Sequence, residues 1–163
     1  MKSREVQITT PSDREIAMTR DFRAPRARVW EAHTRPELLR RWLLGPPGWT
    51  MEVCEIDFRV GGRYRYEWRK ESGVQMGMGG AYLEITAPER IVATELFDDD
   101  WTGGGEAVAT LVLTERDGLT TLVNTVRYPS QEVRDRALQS GMEEGVDYGY
   151  NRLAELLATP PAA

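Results

Sequence analysis

The sequence predicts an α+β domain in which a curved antiparallel sheet of about seven strands wraps around one long C-terminal helix. The segment 130–158 carries apolar residues at helical spacing. The middle of the chain, from Trp49 to Tyr128, alternates apolar and polar residues, with turn residues between successive runs. An antiparallel meander with one apolar face needs a cover, and the terminal helix is the only segment long enough to provide it.

The C-terminal segment predicts one continuous helix from Ser130 to Ala158. Ser130 is a favourable N-cap, and Glu132 lies near the positive end of the helix dipole. Apolar residues recur three, four and seven positions apart, which places them on one side of the helix. The residues of this stripe are Val133, Ala137, Leu138, Met142, Val146, Leu153, Leu156 and Leu157.

Three glycines, Gly141, Gly145 and Gly149, recur at intervals of four residues within this predicted helix. Each costs roughly 1 kcal/mol relative to alanine in a helix interior, so another interaction must offset them. Two explanations remain open. Either the helix backbone approaches the sheet closely, or the missing side chains keep an internal cavity open.

Seven strands are predicted ahead of this helix, with two short helices after the first strand. The clearest signal is the run from Arg63 to Trp68, where the aromatic residues share one face and the charged residues the other. The short helices begin at Pro25 and Pro36, and the second is expected to include Leu43. The predicted strands are 15–22, 49–58, 63–68, 75–85, 90–97, 107–115 and 119–128.

The length of 163 residues suffices for a single domain with a sizeable core. Residues 1–13 are expected to form an extended arm or a loosely held strand, residues 14–158 the domain, and residues 159–163 a flexible tail. The single cysteine, Cys54, excludes an intramolecular disulfide, and its apolar neighbours predict a buried, inert thiol.

The net charge of -5 gives the chain no basic surface, so neither nucleic acid nor an anionic membrane is an expected partner. No apolar run reaches the ~18 residues of a membrane span, and no signal-peptide core follows the charged N-terminus. We therefore expect a soluble, cytoplasmic protein. The edge strands of the sheet would allow a homodimer.

Seven short motifs, in order from Phe22 to Asp135, carry a resemblance that covers nearly the whole chain, from Ile16 to Leu157. They are Phe22-Arg-Ala-Pro-Arg-Ala-Arg-Val-Trp30, Pro36-Glu-Leu-Leu-Arg-Arg-Trp42, Gly48-Trp-Thr50, Cys54-Glu-Ile-Asp-Phe-Arg-Val-Gly-Gly62, Gly77-Met-Gly-Gly-Ala-Tyr-Leu-Glu84, Pro88-Glu-Arg-Ile-Val92 and Tyr128-Pro-Ser-Gln-Glu-Val-Arg-Asp135. Together they resemble the bacterial family of activator of heat-shock-protein-90 ATPase homologues, within the START-like, or SRPBCC, superfamily. The resemblance implies a helix-grip (Bet v 1-like) fold with a hydrophobic pocket for lipids, polyketides or other apolar ligands. The superfamily includes cyclases and hydrolases, whereas this family has no shared catalytic motif, and its name alone links it to a chaperone.

The aromatic and methionine residues are the best candidates for binding a small hydrophobic or aromatic molecule between sheet and helix. Tyrosine and tryptophan bring a polar atom to an apolar wall, and methionine adapts to varied shapes. Trp101 belongs to the same aromatic set. The residues expected to bind the ligand are Trp42, Trp49, Tyr66, Trp68, Met78, Tyr82, Phe97, Met142 and Gly145.

Neither a metal ion nor a cofactor is expected. His33 is the only histidine, which excludes a two-histidine metal site and favours a structural or surface role. The run 98–100 of three aspartates lacks the spacing of a calcium loop and predicts a solvated turn. The run 103–105 of three glycines lacks the Lys-Ser/Thr of a phosphate loop and predicts a mobile loop beside the pocket mouth.

Among the charged residues, Arg65 and Glu67 are predicted to point outward, while the side of Glu95 is undecided because both faces of its strand are partly apolar. Three hypotheses follow. The preferred one is ligand binding without committed catalysis. The second is a cyclase- or hydrolase-type enzyme that uses an inward acid such as Glu95 or a tyrosine. The third is a module that stimulates a chaperone ATPase, which requires a sizeable exposed apolar patch.

Overall fold

The computed structural model describes residues 5–99 and 103–160. Within these ranges the chain forms eight strands and four helices, and none of these helices has the length and hydrophobicity needed to cross a membrane. In chain order the elements are β1 (Gln7–Thr9), β2 (Glu15–Phe22), α1 (Arg26–Thr34), α2 (Pro36–Leu39), β3 (Trp49–Ile56), β4 (Arg63–Lys70), β5 (Gln75–Thr86), β6 (Arg90–Phe97), β7 (Ala107–Arg116), β8 (Leu119–Arg127), α3 (Gln131–Gln139) and α4 (Met142–Ala158).

The strands form one antiparallel sheet in the order β1-β2-β8-β7-β6-β5-β4-β3. The first long strand pairs with the last, from Glu15 opposite Arg127 to Phe22 opposite Thr120. The strands from β3 to β8 follow one another as a meander, and α1 and α2 lie in the connection that leads from β2 to β3 at the far edge. This arrangement confirms the predicted helix-grip fold, with one strand more than predicted. The additional strand, β1, lies in the region for which an arm or a loosely held strand was expected.

The alternation of apolar and polar residues gives the strands their two faces. In β4, Tyr64, Tyr66 and Trp68 are buried, whereas Arg65 and Glu67 lie on the partly exposed outer face. The seven predicted strands agree with the observed ones to within two residues at every end. The outward direction predicted for the charged residues of β4 is therefore confirmed.

The C-terminal half of α4 packs into the most tightly closed part of the core. Leu153 is fully buried, as are Ile16 on β2 and Leu122 on β8. Tyr150 meets Phe22 edge to face, with 5.9 Å between the ring centroids. Because full burial of one such side chain contributes roughly 1.5–3 kcal/mol, this contact holds the helix on the sheet.

The prediction of one continuous helix from Ser130 to Ala158 is wrong, because the segment forms two helices, α3 and α4. Ser130 is the expected N-cap, and its Oγ accepts a hydrogen bond from the Val133 N–H at 3.3 Å. The Ser140 hydroxyl donates to the Ala137 carbonyl at 2.6 Å, which satisfies the end of α3. Gly141 then adopts a φ of +83°, a left-handed conformation that an α-helix does not contain.

The second short helix is also shorter than predicted. α2 ends at Leu39, and Trp42 and Leu43 follow in a turn and an irregular segment. The Trp42 indole N–H donates to the Ala32 carbonyl on α1 at 2.9 Å. This bond holds the chain against α1, and the following residues Gly45 and Pro46 lie beside Gly145 of α4.

Two substitutions of glycine by alanine should therefore have opposite effects on stability. Gly141→Ala should lower the free energy of unfolding by about 1–2 kcal/mol, because alanine is strained at positive φ. Gly145→Ala lies inside α4, where the new Cβ would meet the Pro46 Cδ at an ordinary 3.5 Å, so it should raise this free energy by up to roughly 1 kcal/mol. Urea unfolding followed by tryptophan fluorescence measures both. Stabilisation by both substitutions would contradict the break at Gly141.

Candidate ligand cavity

A cavity of about 700 Å³ lies between the concave face of the sheet, the N-terminal half of α4 and the segment 42–46. Its wall draws on seven neighbouring strands, from Met18 on β2 to Trp49 on β3, with β8, β7, β6, β5 and β4 between them in the sheet. On the helical side, Met142, Val146 and Tyr150 complete it. A second depression, of similar volume, is lined by charged groups such as Arg65 and Asp98 and differs from this apolar interior space.

All nine residues predicted to bind a ligand lie on the wall of this cavity. That they contact a ligand stays a prediction. Six of them come from the sheet or its edge, Trp42 comes from the turn after α2, and Met142 and Gly145 come from the first turns of α4. Trp101, the other aromatic residue of the predicted set, lies outside the described residues.

The protein itself binds the polar atoms of several aromatic wall residues. The Trp68 indole N–H donates to the Leu43 carbonyl at 2.8 Å, and the Tyr64 hydroxyl donates to the Thr94 carbonyl at 2.6 Å. The Trp42 indole is held in the same way by α1. These bonds fix the rings in place, so the wall is a preformed aromatic surface.

The glycines of α4 play two different roles. A Cβ on Gly149 would come within 3.4 Å of the Trp42 carbonyl oxygen, so this position allows the helix to approach the neighbouring backbone closely. A Cβ on Gly145 would have only ordinary contacts, the nearest with Pro46, and this residue borders the cavity. The close approach at Gly149 is to the turn after α2 and not to the sheet, and Gly149 lines the cavity together with Gly145. That the missing side chains keep the cavity open stays a prediction.

Glu95 lies on the cavity wall, which answers the question that its sequence context left open. Ile91, Ala93, Glu95 and Phe97 follow one another at alternate positions of β6 and all line the cavity. Burial raises the pKa of the Glu95 carboxyl to about 7. Near neutral pH this carboxyl therefore exchanges between its neutral and its charged form.

His33 also lies on the wall, although its sequence favoured a structural or surface role. Its Nδ1 is 2.8 Å from the Val29 carbonyl oxygen, and its ring centroid is 4.8 Å from that of Trp42. Burial lowers the pKa of this imidazole to about 4, so the ring is neutral at neutral pH. Since Nδ1 must donate its proton to the carbonyl, Nε2 is left as a hydrogen-bond acceptor.

Asn124 is a wall residue that the sequence reasoning missed. It stands between Leu122 and Val126 on the inward face of β8, opposite Met18 on β2 and Leu111 on β7. A polar residue at an inward position of an alternating strand is the signal that could have identified it.

The other titratable wall residues are tyrosines whose burial raises their pKa values well above the ordinary value of a phenol. These are Tyr64, Tyr66, Tyr82, Tyr128 and Tyr150. They stay neutral in the physiological range and can both donate and accept hydrogen bonds. Among the described wall residues there is no lysine or arginine, so Glu95 carries the only charge that the wall can develop near pH 7.

Two loop predictions concern the surroundings of the cavity. The Asp98 carboxylate bonds to the Arg65 guanidinium at 2.6 Å, and this contact lowers the pKa of Asp98. Within the described residues no group of three acidic, histidine or cysteine side chains could hold a metal ion.

The glycine run 103–105 was expected beside the pocket mouth, but a Cβ on Gly104 would overlap Val133 of α3, and these glycines do not line the cavity. The loop lies against α3 because the missing side chain admits that contact.

The comparisons with known proteins agree with the fold. Residues 23–158 match the family described as activator of Hsp90 ATPase homolog 1-like protein. A crystal structure from Rhodobacter sphaeroides shares 34% identity at a TM-score of 0.88, over 94% of this chain and 98% of that one. A crystal structure from Mycobacterium smegmatis shares 25% identity at a TM-score of 0.83, over 96% of this chain and 99% of that one. A solution structure of a protein from Aeromonas hydrophila shares 17% identity at a TM-score of 0.69, over 90% of this chain and 98% of that one. This likeness shows that the two proteins share a fold and nothing further. A search of curated proteins gave no match.

The buried acid predicts a specific pH dependence of stability. The pKa of Glu95 is about 7 in the folded protein but ordinary in the unfolded chain, so the folded state binds an extra proton between about pH 4.5 and 7. Stability present at low pH is lost as the pH rises through this window. Glu95→Gln removes the loss, and we expect the variant to be more stable than wild type at pH 8 by roughly 1–3 kcal/mol, with little difference near pH 4.

Urea unfolding at half-unit steps from pH 4 to pH 8 measures this difference directly. Glu55→Gln makes the same substitution at an exposed position of β3, outside the apolar cavity, and serves as the control. A stability difference between Glu95→Gln and wild type that does not change with pH would mean that the Glu95 carboxyl has an ordinary pKa in the folded protein.

Proposed function

This chain belongs to the activator of Hsp90 ATPase homolog 1-like family, and we propose that it binds a small hydrophobic or aromatic molecule in the cavity between the sheet and α4. The observation that carries the proposal is the interior space of about 700 Å³. Protein interiors are close-packed and contain few voids larger than a water molecule. A cavity of this size lies within the range of sites for drug-sized ligands.

The cost of unfilled interior volume supports this proposal. Emptied core volume typically costs about 24 cal/mol per Å³ in large-to-small substitutions. Larger side chains at Ala93, Ala109 and Gly145, which all face the cavity, would fill part of it. The chain instead keeps small residues at these positions, which favours a cavity with an occupant.

The chemistry of the wall indicates the nature of this occupant. Aromatic rings whose polar atoms already bond to the backbone offer apolar faces to a ligand. Met78 and Met142, from opposite sides of the cavity, can adapt to different shapes. A flat or branched apolar body suits this surface better than a sugar or a nucleotide.

Acid–base catalysis on the bound molecule is a second candidate function, and the position of Glu95 favours it. A carboxyl with a pKa of about 7 can give or take a proton at neutral pH. Incubation of the protein with a candidate ligand, followed by mass spectrometry of the ligand, separates turnover from binding alone.

The chaperone hypothesis has less support. Of the exposed large hydrophobic residues that the structure describes, Met76 and Leu83 lie on β5 and Leu96 on the neighbouring β6, whereas Leu119 lies on β8 and Tyr148 on α4. Single exposed hydrophobic residues are normal on protein surfaces and do not by themselves form a docking site.

Binding of the neutral fluorescent probe N-phenyl-1-naphthylamine tests the proposed function. We expect its emission to rise and shift to shorter wavelength with wild-type protein. Gly145→Leu should weaken binding by about tenfold or more, since Pro46 stands 3.5 Å from the new Cβ and the side chain must extend into the cavity. Fluorescence titration and circular dichroism measure affinity and folding.

Glu144→Leu provides the matched control, because it adds the same side chain one residue away at an exposed position of α4. If Gly145→Leu does not fold, Ala109→Leu narrows the cavity from β7 instead. Unchanged probe affinity in a folded cavity-filling variant would exclude the cavity as the binding site.

A further inference from the structure

Glu95 is half-buried on the cavity wall, and the described residues give its carboxylate neither a hydrogen bond nor an ion pair. It lies on β6, well inside the sheet, and the residue directly opposite it on β7 is Ala107, while Ala93 stands opposite Ala109. These neighbours are too short and too apolar to bond to it. On the facing side, burial raises the pKa values of Tyr64 and Tyr128, and both lie near enough for the charge of Glu95 to raise them further, but the Tyr64 hydroxyl donates to the Thr94 carbonyl. The described residues show no hydrogen bond or ion pair to the Glu95 carboxylate.

Such a group costs free energy unless something satisfies it. A carboxylate without a partner in an apolar environment loses its hydration, and burial alone accounts for its raised pKa. Glutamine or leucine at this position would avoid the cost. Buried titratable groups that are perturbed in this way and line a cavity are typical of functional sites.

We propose that Glu95 receives the ammonium group of a small organic amine whose apolar or aromatic body fills the rest of the cavity. This inference rests on the proposed function and names the class of ligand. The ammonium donates charge-assisted hydrogen bonds to the carboxylate, and these are stronger than bonds between neutral groups.

The rest of the wall favours a cation over an anion. Organic cations also bind to the faces of aromatic rings, and Phe97 stands two residues from Glu95 on the same face of β6. His33 and the tyrosines of the wall are neutral between pH 6 and pH 8. An anionic ligand would therefore meet the carboxylate of Glu95 and no opposing positive charge on the described wall.

The proton balance of binding follows from this arrangement. Below pH 7 part of the free protein carries a proton on Glu95, and binding of an ammonium drives this proton into the solvent. The affinity for an amine should thus rise from pH 6 to pH 8, in step with the ionised fraction of Glu95. A neutral alcohol binds the protonated acid at least as well and should show no such rise.

Calorimetric titration with three matched probes tests the inference. The probes are 2-(1-naphthyl)ethylamine, 2-(1-naphthyl)ethanol and 1-naphthylacetate, which share an aromatic body and differ in charge. At pH 8 we expect the amine to bind wild-type protein about tenfold more tightly than the alcohol, and the acetate to bind most weakly. Titration at pH 6.5 in buffers of different ionisation enthalpy should detect proton release with the amine.

Glu95→Gln should lower the amine affinity about tenfold and alter the alcohol affinity much less, whereas the exposed Glu55→Gln should keep the preference for the amine. Equal affinities of amine and alcohol in wild type, or an amine preference that persists in Glu95→Gln, would overturn the inference and leave apolar binding in place. Absence of binding by both amine and alcohol would overturn the proposed function and this inference with it.

Discussion

The burial of Leu153 between the helices and the sheet is the contact on which the rest of the structure depends. Leu153 belongs to the same core cluster as Ile16 on β2 and Leu122 on β8, and all three are fully buried. Tyr150 and Gly149 continue this close contact against Phe22 and the backbone of Trp42. Beyond them the N-terminal half of α4 extends over the concave face without filling it, so the same helix provides the core at one end and the wall of a cavity at the other.

Polar groups find partners within the protein both on the cavity wall and on the outer face of the sheet. The indole and phenol groups that reach the cavity from Trp42, Trp68 and Tyr64 bond to backbone carbonyls nearby. Charged residues of the outer face, such as Arg65 with Asp98, pair with one another. Glu95 is half-buried on the cavity wall without such a partner, and burial raises the pKa of its carboxyl to about 7.

The sequence predicted most of the fold because the strands alternate clearly and face one core. The break at Gly141 could not be foreseen, because the apolar stripe continues with the right spacing on both sides of it. The sequence does not reveal whether a glycine adopts a left-handed conformation or lies inside a helix. Only the turn at Ser140 and the position of α4 over the sheet distinguish them.

The candidate site was predictable in its apolar part and less so in its polar part. Large apolar residues at inward positions of strands must line the interior, which is why the predicted residues of the sheet lie on the wall. The side of Glu95 depends on which partly apolar face of β6 meets the core, and local sequence does not decide this. The position of His33 on the wall depends on the contact between α1 and the turn at Trp42. This contact forms only in the folded chain, so the local sequence does not predict it.

The most direct test of this account is the protonation of Glu95 itself, followed by carbon-13 NMR of the labelled carboxyl group in the presence and absence of 2-(1-naphthyl)ethylamine. The account predicts a midpoint of about 7 in the free protein and a fall of at least about one pH unit when the amine is bound. An ordinary glutamate midpoint in the free protein, or a midpoint that the bound amine leaves unchanged, would contradict it.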